Sequence, residues 1–176
     1  MSGLHPIDTP FGPVRAAFDG SGAVIYLGFA GHEFRSPLLA KLARLEPVKT
    51  ADPKRLGILR SQLEAYASGA RTTFEVPIRL HGSPFEQRVW AALQRIPFGE
   101  TRSYGQLAAE LGDPKLSRAV GRANGANPIS ILVPCHRVIG ANGALTGYAG
   151  GLEMKERLLR LEGALRVPNR TPTRPR

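Results

Sequence analysis

The single cysteine of the chain, Cys135, stands in a setting that suits a nucleophile. Its surrounding sequence is PCHRV at 134–138, which follows the short apolar run from Ile129 to Val133. That run is rich in β-branched residues and predicts a buried strand ended by Pro134. An adjacent imidazole and guanidinium both favour the thiolate, which is the nucleophilic form of cysteine. A lone cysteine is otherwise most often an inert core residue.

His136 is the candidate base, and a base needs a partner that orients it. Neighbouring side chains diverge on an extended backbone, so a tight turn or a water relay has to connect His136 to the cysteine. The nearest acids downstream lie on a predicted helix built around Met154, Leu158 and Leu161. Among them, Glu153 and Glu156 have the pattern of solvated charges. Glu162 ends the helix beside Gly163, where partial burial is plausible.

Two further segments flank the cysteine. Asn127 precedes Pro128, and an Asn in that position commonly caps a turn with its own side chain. The glycine-rich segment 140–151 contains one aromatic residue, Tyr148, and can form the wall of a pocket for a flat ligand. These residues need a scaffold that brings them together.

Helix signals dominate the chain from residue 82 to residue 165. Ser83 and Ser103 each begin a capping box, with Pro84 at the first position of the former helix. Asp113-Pro114 opens another helix that is expected to run to about Asn124 or Gly125. Two helices joined by a tight turn containing glycine have the pattern of a helix-turn-helix unit.

The second helix of that pair is rich in small residues, with Ser117, Ala119 and Gly121 among them. Its backbone can therefore lie close to a bulky neighbour. Either it packs tightly against another helix, or it enters a nucleic-acid groove with Arg118 and Arg122 near the phosphates. Residues 114–152 contain no Asp or Glu, which favours a polyanionic partner because nothing in that stretch repels phosphate.

The first 81 residues predict a small α/β domain. A hairpin is expected from Val14 to Phe18 and from Ala23 to Phe29, with turn residues between. Two amphipathic helices follow, and then an alternating strand that ends at Leu80, in which Pro77 indicates an edge or a bulge. The apolar faces of the helices comprise Leu38, Leu39, Leu42 and Leu45 in the first, and Leu56, Leu59, Leu63 and Tyr66 in the second.

The amino-acid composition limits the classes of protein and of site to which this chain can belong. With one Cys in 176 residues, an internal disulfide or a cysteine-rich metal site is excluded, and four scattered histidines predict no metal. The net charge of +10 divides into +3 for residues 1–80, +3 for 81–165 and +4 for 166–176, a basic tail expected to be disordered. No long apolar run or basic leader is present, so we expect an intracellular, cytoplasmic protein without membrane attachment.

Taken together, these motifs resemble the O6-alkylguanine-DNA alkyltransferases. The resemblance is carried by RAVG at 118–121, Asn127-Pro128, PCHRV at 134–138, GYAGG at 147–151 and LEG at 161–163, and it covers residues 83–163. It implies an N-terminal ribonuclease H-like α/β domain over 1–81. It also implies a mainly helical domain over 82–165 that carries a winged-helix-like helix-turn-helix.

The resemblance also implies an activity and a role for each site residue. Cys135 would irreversibly take a methyl or other alkyl group from O6 of guanine, or O4 of thymine, in double-stranded DNA. The protein would act once, as a monomer and without a cofactor. The implied catalytic group has Cys135 as acceptor, His136 as base, Glu162 as its orienter, Asn127 as a brace and Tyr104 as proton donor. The implied DNA contacts are Ser103, Lys115, Ser117, Arg118, Ala119, Gly121 and Arg122, and the base pocket comprises Val138, Tyr148 and Ala149.

Three other interpretations remain at this stage. A non-catalytic alkyltransferase-like protein would bind the lesion only, a Cys-His hydrolase would turn over without DNA, and a helix-turn-helix regulator would not need the thiol.

Two departures from the family pattern stand out. Ala149 replaces a residue that is often Ser, and the lack of other cysteines excludes the N-terminal zinc site of some members.

Overall fold

A computed structural model describes residues 4–31 and 52–165 of the chain. Within them it is a mixed α/β structure, as expected, with a three-stranded antiparallel sheet, a two-stranded parallel ladder and five α-helices. The predicted helix around Leu38 to Leu45 and the basic tail lie outside these residues. None of the described helices combines the length and the apolar character that a bilayer crossing requires.

The predicted hairpin is confirmed, and a third strand precedes it in the same sheet. Strands β1 (His5–Thr9), β2 (Gly12–Phe18) and β3 (Val24–Phe29) pair in sequence order. The Asp19 carboxylate organises the turn between β2 and β3 by accepting from the Ser21 and Ala23 amides at 2.8 and 3.0 Å. We did not predict β1, because its five residues include a proline and show no apolar alternation.

Helix α1 (Pro53–Ala67) follows, and its predicted apolar face is confirmed. Asp52 caps it by accepting from the Lys54 amide at 3.0 Å. The strand predicted up to Leu80 is wrong: the segment makes a single parallel bridge, between Val24 and Ile78. Pro77 has no amide to donate, so the pairing cannot extend from Ile78 toward the start of the segment.

The C-terminal helices begin where the capping boxes predict. Helices α2 (Pro84–Gln94) and α3 (Tyr104–Glu110) each have a complete box, and α3 follows the short strand β4 (Arg102–Ser103). The expected single helix after Asp113 is instead a 3₁₀ turn (Pro114–Leu116) that leads into α4 (Ser117–Gly125). The Trp90 indole of α2 donates to the Ala123 carbonyl of α4 at 2.8 Å, which ties these helices together.

The segment before the cysteine is buried as predicted, but it is not a strand. Ile129 makes one bridge to Leu27 of β3, and the chain then turns, with Ile131 in the left-handed region at φ 71°. The Val133 amide returns to the Ile129 carbonyl at 3.0 Å. The Asn127 side chain stabilises this tight loop, and periodicity alone cannot distinguish such a loop from a buried strand.

The rest of the C-terminal half comprises a 3₁₀ turn (Cys135–Arg137), strand β5 (Val138–Ile139) and helix α5 (Leu152–Leu161). Strand β5 pairs in parallel with β4. One continuous apolar cluster includes residues of the sheet, of α1 and of the C-terminal helices, so both halves share a core. The cysteine segment lies inside this core.

The Ser83 capping box should contribute measurably to stability. The Ser83 hydroxyl accepts from the Glu86 amide at 3.3 Å, and the Glu86 carboxylate accepts from the Ser83 amide at 2.7 Å and from its hydroxyl at 2.8 Å. We expect Ser83→Ala to lower the free energy of unfolding by about 1 kcal/mol in urea titrations. Ser68→Ala, at the exposed C-terminal end of α1, is the matched control and should change it by less than about 0.5 kcal/mol. Equal losses in the two variants would contradict this role of the box.

Candidate active site

Cys135 begins a 3₁₀ turn inside the core, and its residue is only 4% exposed. Its amide donates to the Val133 carbonyl at 2.8 Å, which closes the loop directly before it. Burial raises the pKa of the thiol, although the Asn127 amide and the Lys155 ammonium partly oppose this effect. Burial therefore opposes the thiolate that the sequence neighbours were expected to favour, and the cysteine needs a base.

Asn127 braces the loop that presents the cysteine. Its amide nitrogen donates to the Val133 carbonyl at 2.8 Å, and its amide oxygen accepts from the Ile129 amide at 3.0 Å. These two bonds join both ends of the turn. A second amide, Asn124 of α4, donates to the Cys135 carbonyl at 3.4 Å and connects this loop to the helix.

His136 is fully buried and pairs with Glu162, whose Oε1 lies 2.7 Å from its Nε2. An ionised carboxylate only accepts, so Nε2 carries the proton and Nδ1 retains a lone pair. Nδ1 is buried and has no hydrogen-bond partner within the described residues. Burial lowers the pKa of His136, although Glu162 opposes it, so the imidazole is neutral at neutral pH and can accept a proton.

The Arg137 guanidinium binds the Glu162 carboxylate. Its Nε and Nη2 donate to the two oxygens of Glu162 at 2.8 and 2.9 Å, and its Nη1 donates to the Ile96 carbonyl at 2.5 Å. Burial alone would raise the pKa of Glu162. Hydrogen bonds from His136, Arg137 and Tyr66 outweigh this effect and lower the pKa to about 2. The guanidinium that was expected to favour the thiolate is thus paired with Glu162, which offsets its charge.

Sequence reasoning missed Tyr66, which comes from α1 in the N-terminal half. Its hydroxyl donates to Oε1 of Glu162 and lies 3.4 Å from Nε2 of His136. The sequence placed Tyr66 on the apolar face of α1, where a tyrosine is expected to fill core volume. Nothing in the local sequence shows that its hydroxyl reaches a residue 96 positions later.

Lys155 was also missed, although helical spacing could have found it. It lies one turn before Leu158 and Leu159 and two turns before Glu162, on the buried face of α5. Its ammonium donates to the carbonyls of Val138 and Thr146, at 2.6 Å in both cases. Burial lowers the pKa of Lys155 to about 8, while the nearby Cys135 opposes this shift. The positive charge of Lys155 in turn favours the thiolate form of Cys135.

The expected pocket residues surround the same region. Tyr104 reaches the loop before Tyr148, where its hydroxyl donates to the Thr146 carbonyl at 3.3 Å. The ring of Tyr148 packs edge-on against His136, with 6.3 Å between the centroids. Val138 presents its backbone beside them on β5, whereas Ala149 is exposed on the adjoining loop.

The residues expected to contact DNA lie on one unit formed by α3, the 3₁₀ turn and α4. Lys115, Arg118 and Arg122 are exposed, and Ser117, Ala119 and Gly121 are half-buried along α4. The ring of Tyr104 lies against Gly121, where a β-carbon would be 3.7 Å from it. Ser103 instead uses its hydroxyl to cap α3, by accepting from the Gln106 amide at 3.1 Å.

The buried cysteine with its His-Glu pair belongs to the same half of the chain as α4, on which Arg118 and Arg122 are exposed, and this combination fits a protein that uses a thiol on a nucleic acid. A family model described as the DNA binding domain of 6-O-methylguanine DNA methyltransferase matches residues 84–164. The methylated-DNA–protein-cysteine methyltransferase of Mycobacterium bovis is 48% identical over 165 residues, or 92% of this chain and 93% of the relative. That of Mycolicibacterium paratuberculosis is 51% identical over 137 residues, or 73% of this chain and 82% of the relative.

The fold agrees with these relationships. The crystal structure of OGT from Mycobacterium tuberculosis in complex with DNA matches with a TM-score of 0.78 and 46% identity, covering 92% of both chains. The chain belongs to the methylated-DNA–protein-cysteine methyltransferase family. The resemblance stated from the motifs is thereby confirmed, and it extends through the N-terminal half as well.

Lys155 should control the reactivity of the thiol. We expect Lys155→Met to slow alkylation of Cys135 by iodoacetamide about tenfold at neutral pH, because the thiolate loses its nearby cation. The rate is measured by mass spectrometry of the intact protein over a pH series. Lys115→Met, which removes an exposed lysine, is the control and should leave the rate unchanged. An unchanged rate in Lys155→Met would contradict the assignment.

Proposed function

We propose that this protein repairs DNA by direct reversal, moving a methyl or other alkyl group from O6 of guanine to its own Cys135. The observation that carries this proposal is the buried Cys135 beside the neutral His136, which Glu162 orients at 2.7 Å. A neutral imidazole can accept the proton of the thiol and so generate the thiolate, which is the nucleophile. The names and DNA complex of the relatives supply the substrate class. O4 of alkylated thymine presents the same bond and is a second proposed substrate.

The proposed reaction balances without a cofactor. His136 takes the Cys135 proton at Nδ1 through a bridging water molecule, and the sulfur attacks the alkyl carbon. The S–C bond forms while the C–O6 bond breaks, and its electron pair leaves on the guanine. Tyr104 protonates the departing base, and the proton on His136 balances the one that Tyr104 gives up. The product is a thioether with no group positioned to cleave it, so each molecule acts once.

The proposed DNA-binding unit is the helix-turn-helix formed by α3 and α4 in the C-terminal domain (82–165), with a winged-helix-like arrangement. The N-terminal domain (1–81) is proposed to be ribonuclease H-like. A thiol that is 4% exposed cannot reach an oxygen inside a duplex, so the alkylated nucleotide has to be flipped out. The small residues of α4 let its backbone approach the minor groove, and Arg118 fills the gap in the stack. We propose that a monomer is sufficient for this.

The flipped base would lie against Tyr148 and the backbone of Val138. Lys155 fixes that backbone, since it holds the Val138 and Thr146 carbonyls at 2.6 Å. Ala149 supplies no hydroxyl to the alkylated oxygen, so any hydrogen bond there comes from a backbone amide. The lesion-binding alternative is less well supported, because this chain has the nucleophile and its relatives are named as methyltransferases.

The adduct on Cys135 is the direct test. After incubation with duplex DNA containing O6-methylguanine, we expect the protein to gain the mass of one CH₂ unit, located on the peptide with Cys135. The reaction should stop at one adduct per molecule, and Cys135→Ala should bind the DNA without gaining mass. Binding by the unaltered protein without an adduct would establish the lesion-binding alternative. Repeated turnover of an ester or amide would establish a hydrolase.

Arg118 should matter only when a base has to be flipped. We expect Arg118→Ala to slow alkyl transfer from duplex DNA at least about tenfold, because the stack is no longer filled. Its rate with free O6-benzylguanine should stay the same, since that substrate needs no flipping. Arg95→Ala, which removes an exposed arginine directly after the last residue of α2, is the control and should affect neither rate. Equal losses with both substrates would remove Arg118 from this role.

A further inference from the structure

We infer that Tyr66 is a positioning residue for alkyl transfer, by which the N-terminal half completes the catalytic group of the C-terminal half. This inference rests on the proposed function and deepens it. Tyr66 would act through Glu162 on His136, setting both the orientation and the basicity of the imidazole. The motifs that identify the family all lie between residues 118 and 163, so none of them includes this residue.

The contacts of the Tyr66 hydroxyl carry the inference. It is completely buried, donates to Oε1 of Glu162 and lies 3.4 Å from Nε2 of His136. Burial, together with the charge of Glu162, raises the pKa of Tyr66 well above its usual value. The phenol therefore stays protonated and remains a donor throughout the working pH range. A donor aimed at the same oxygen that binds His136 limits where that oxygen can lie.

The ring of Tyr66 is held on several sides. Phe11 and Phe74 lie at 5.8 and 5.2 Å between centroids, and Phe98 packs edge-on at 6.0 Å. Arg157 of α5 stacks over Phe11 at 5.6 Å. It also donates to the Pro10 carbonyl at 2.6 Å, so the turn between β1 and β2 is tied to the C-terminal half. The hydroxyl is thus presented by a fixed ring.

Packing alone does not explain the hydroxyl, because a phenylalanine would fill the same volume. A phenol oxygen among apolar rings costs free energy unless it is hydrogen-bonded, and a bond to a charged acceptor contributes about 1.5–3 kcal/mol. Three side chains donate to Glu162. His136 and Arg137 come from the C-terminal half of the chain, whereas Tyr66 comes from the N-terminal half. The Tyr66 hydroxyl therefore changes how strongly the negative charge of Glu162 acts on the imidazole of His136.

The sign of the effect follows from this competition. Each donor to Glu162 withdraws negative charge from the carboxylate and so lowers the proton affinity of His136. Without the Tyr66 hydroxyl, the carboxylate would stabilise the imidazolium more strongly, and the pKa of His136 would rise. Since only the neutral imidazole accepts the thiol proton, the acid limb of the rate profile would move to higher pH.

The test compares Tyr66→Phe with the unaltered protein, using O6-benzylguanine over about pH 5 to about pH 9. Alkyl transfer to Cys135 is followed by mass spectrometry, and DNA affinity and thermal unfolding are recorded in parallel. We expect a rate at neutral pH about tenfold lower, with the acid limb displaced to higher pH and DNA affinity unchanged. Tyr26→Phe removes the hydroxyl of a buried tyrosine on β3, which packs in a separate apolar cluster, and should leave the profile unchanged.

Two results would overturn the inference: an unchanged profile in Tyr66→Phe, or a rate lowered equally at every pH. The latter would show a structural role only. If Tyr66→Phe does not fold, 3-fluorotyrosine at position 66 keeps the ring and strengthens the donor. The acid limb should then move to lower pH, and no displacement would refute the inference. Failure of the proposed function is separate, since the unaltered protein would then gain no adduct at all.

Discussion

The whole site depends on one buried carboxylate. Glu162, 5% exposed at the end of α5, accepts from Tyr66, His136 and Arg137, and its charge is retained because these donors outweigh the cost of burial. Removing one partner of a buried ion pair usually costs about 3–5 kcal/mol, because the other charge is left without compensation. The carboxylate therefore fixes three segments of the chain at once. Those segments are the first described helix, the cysteine turn and the end of the last helix.

A second set of contacts joins the N-terminal sheet to the loop that precedes Cys135. Leu27 of β3 accepts from the Ser130 amide at 2.8 Å and donates to the Pro128 carbonyl at 2.9 Å, so the sheet edge continues into the loop before the cysteine. Phe29, at the end of β3, packs edge-on against Tyr148 at 6.0 Å. The N-terminal half thus supports both the nucleophile loop and the pocket wall. Reactivity at Cys135 and the association of the two halves are properties of one core.

Features with local signals were predictable from the sequence. The capping boxes at Ser83 and Ser103 and the hairpin turn are determined by a few adjacent residues, and each was found where expected. The loop from Ile129 to Val133 was misassigned because apolar composition reports burial rather than backbone shape. Tyr66 contacts a residue 96 positions later, so its hydroxyl leaves no local pattern, whereas helical spacing does place Lys155 on the buried face of α5. The pairing of Arg137 with Glu162 was not predicted, because adjacency in sequence does not determine where a long side chain points.

The raised pKa of Cys135 fits a protein that uses its nucleophile once. A resting thiolate reacts readily with oxidants, whereas a buried, protonated thiol is inert to them. In the proposed reaction, the neutral His136 accepts the thiol proton when a substrate occupies the pocket, and the charge of Lys155 favours the thiolate that forms. A protein that repairs one lesion per molecule loses all of its capacity if its cysteine is oxidised. Burial with a nearby base therefore preserves the thiol until the alkyl group arrives, at the cost of a reaction that depends on the carboxylate network.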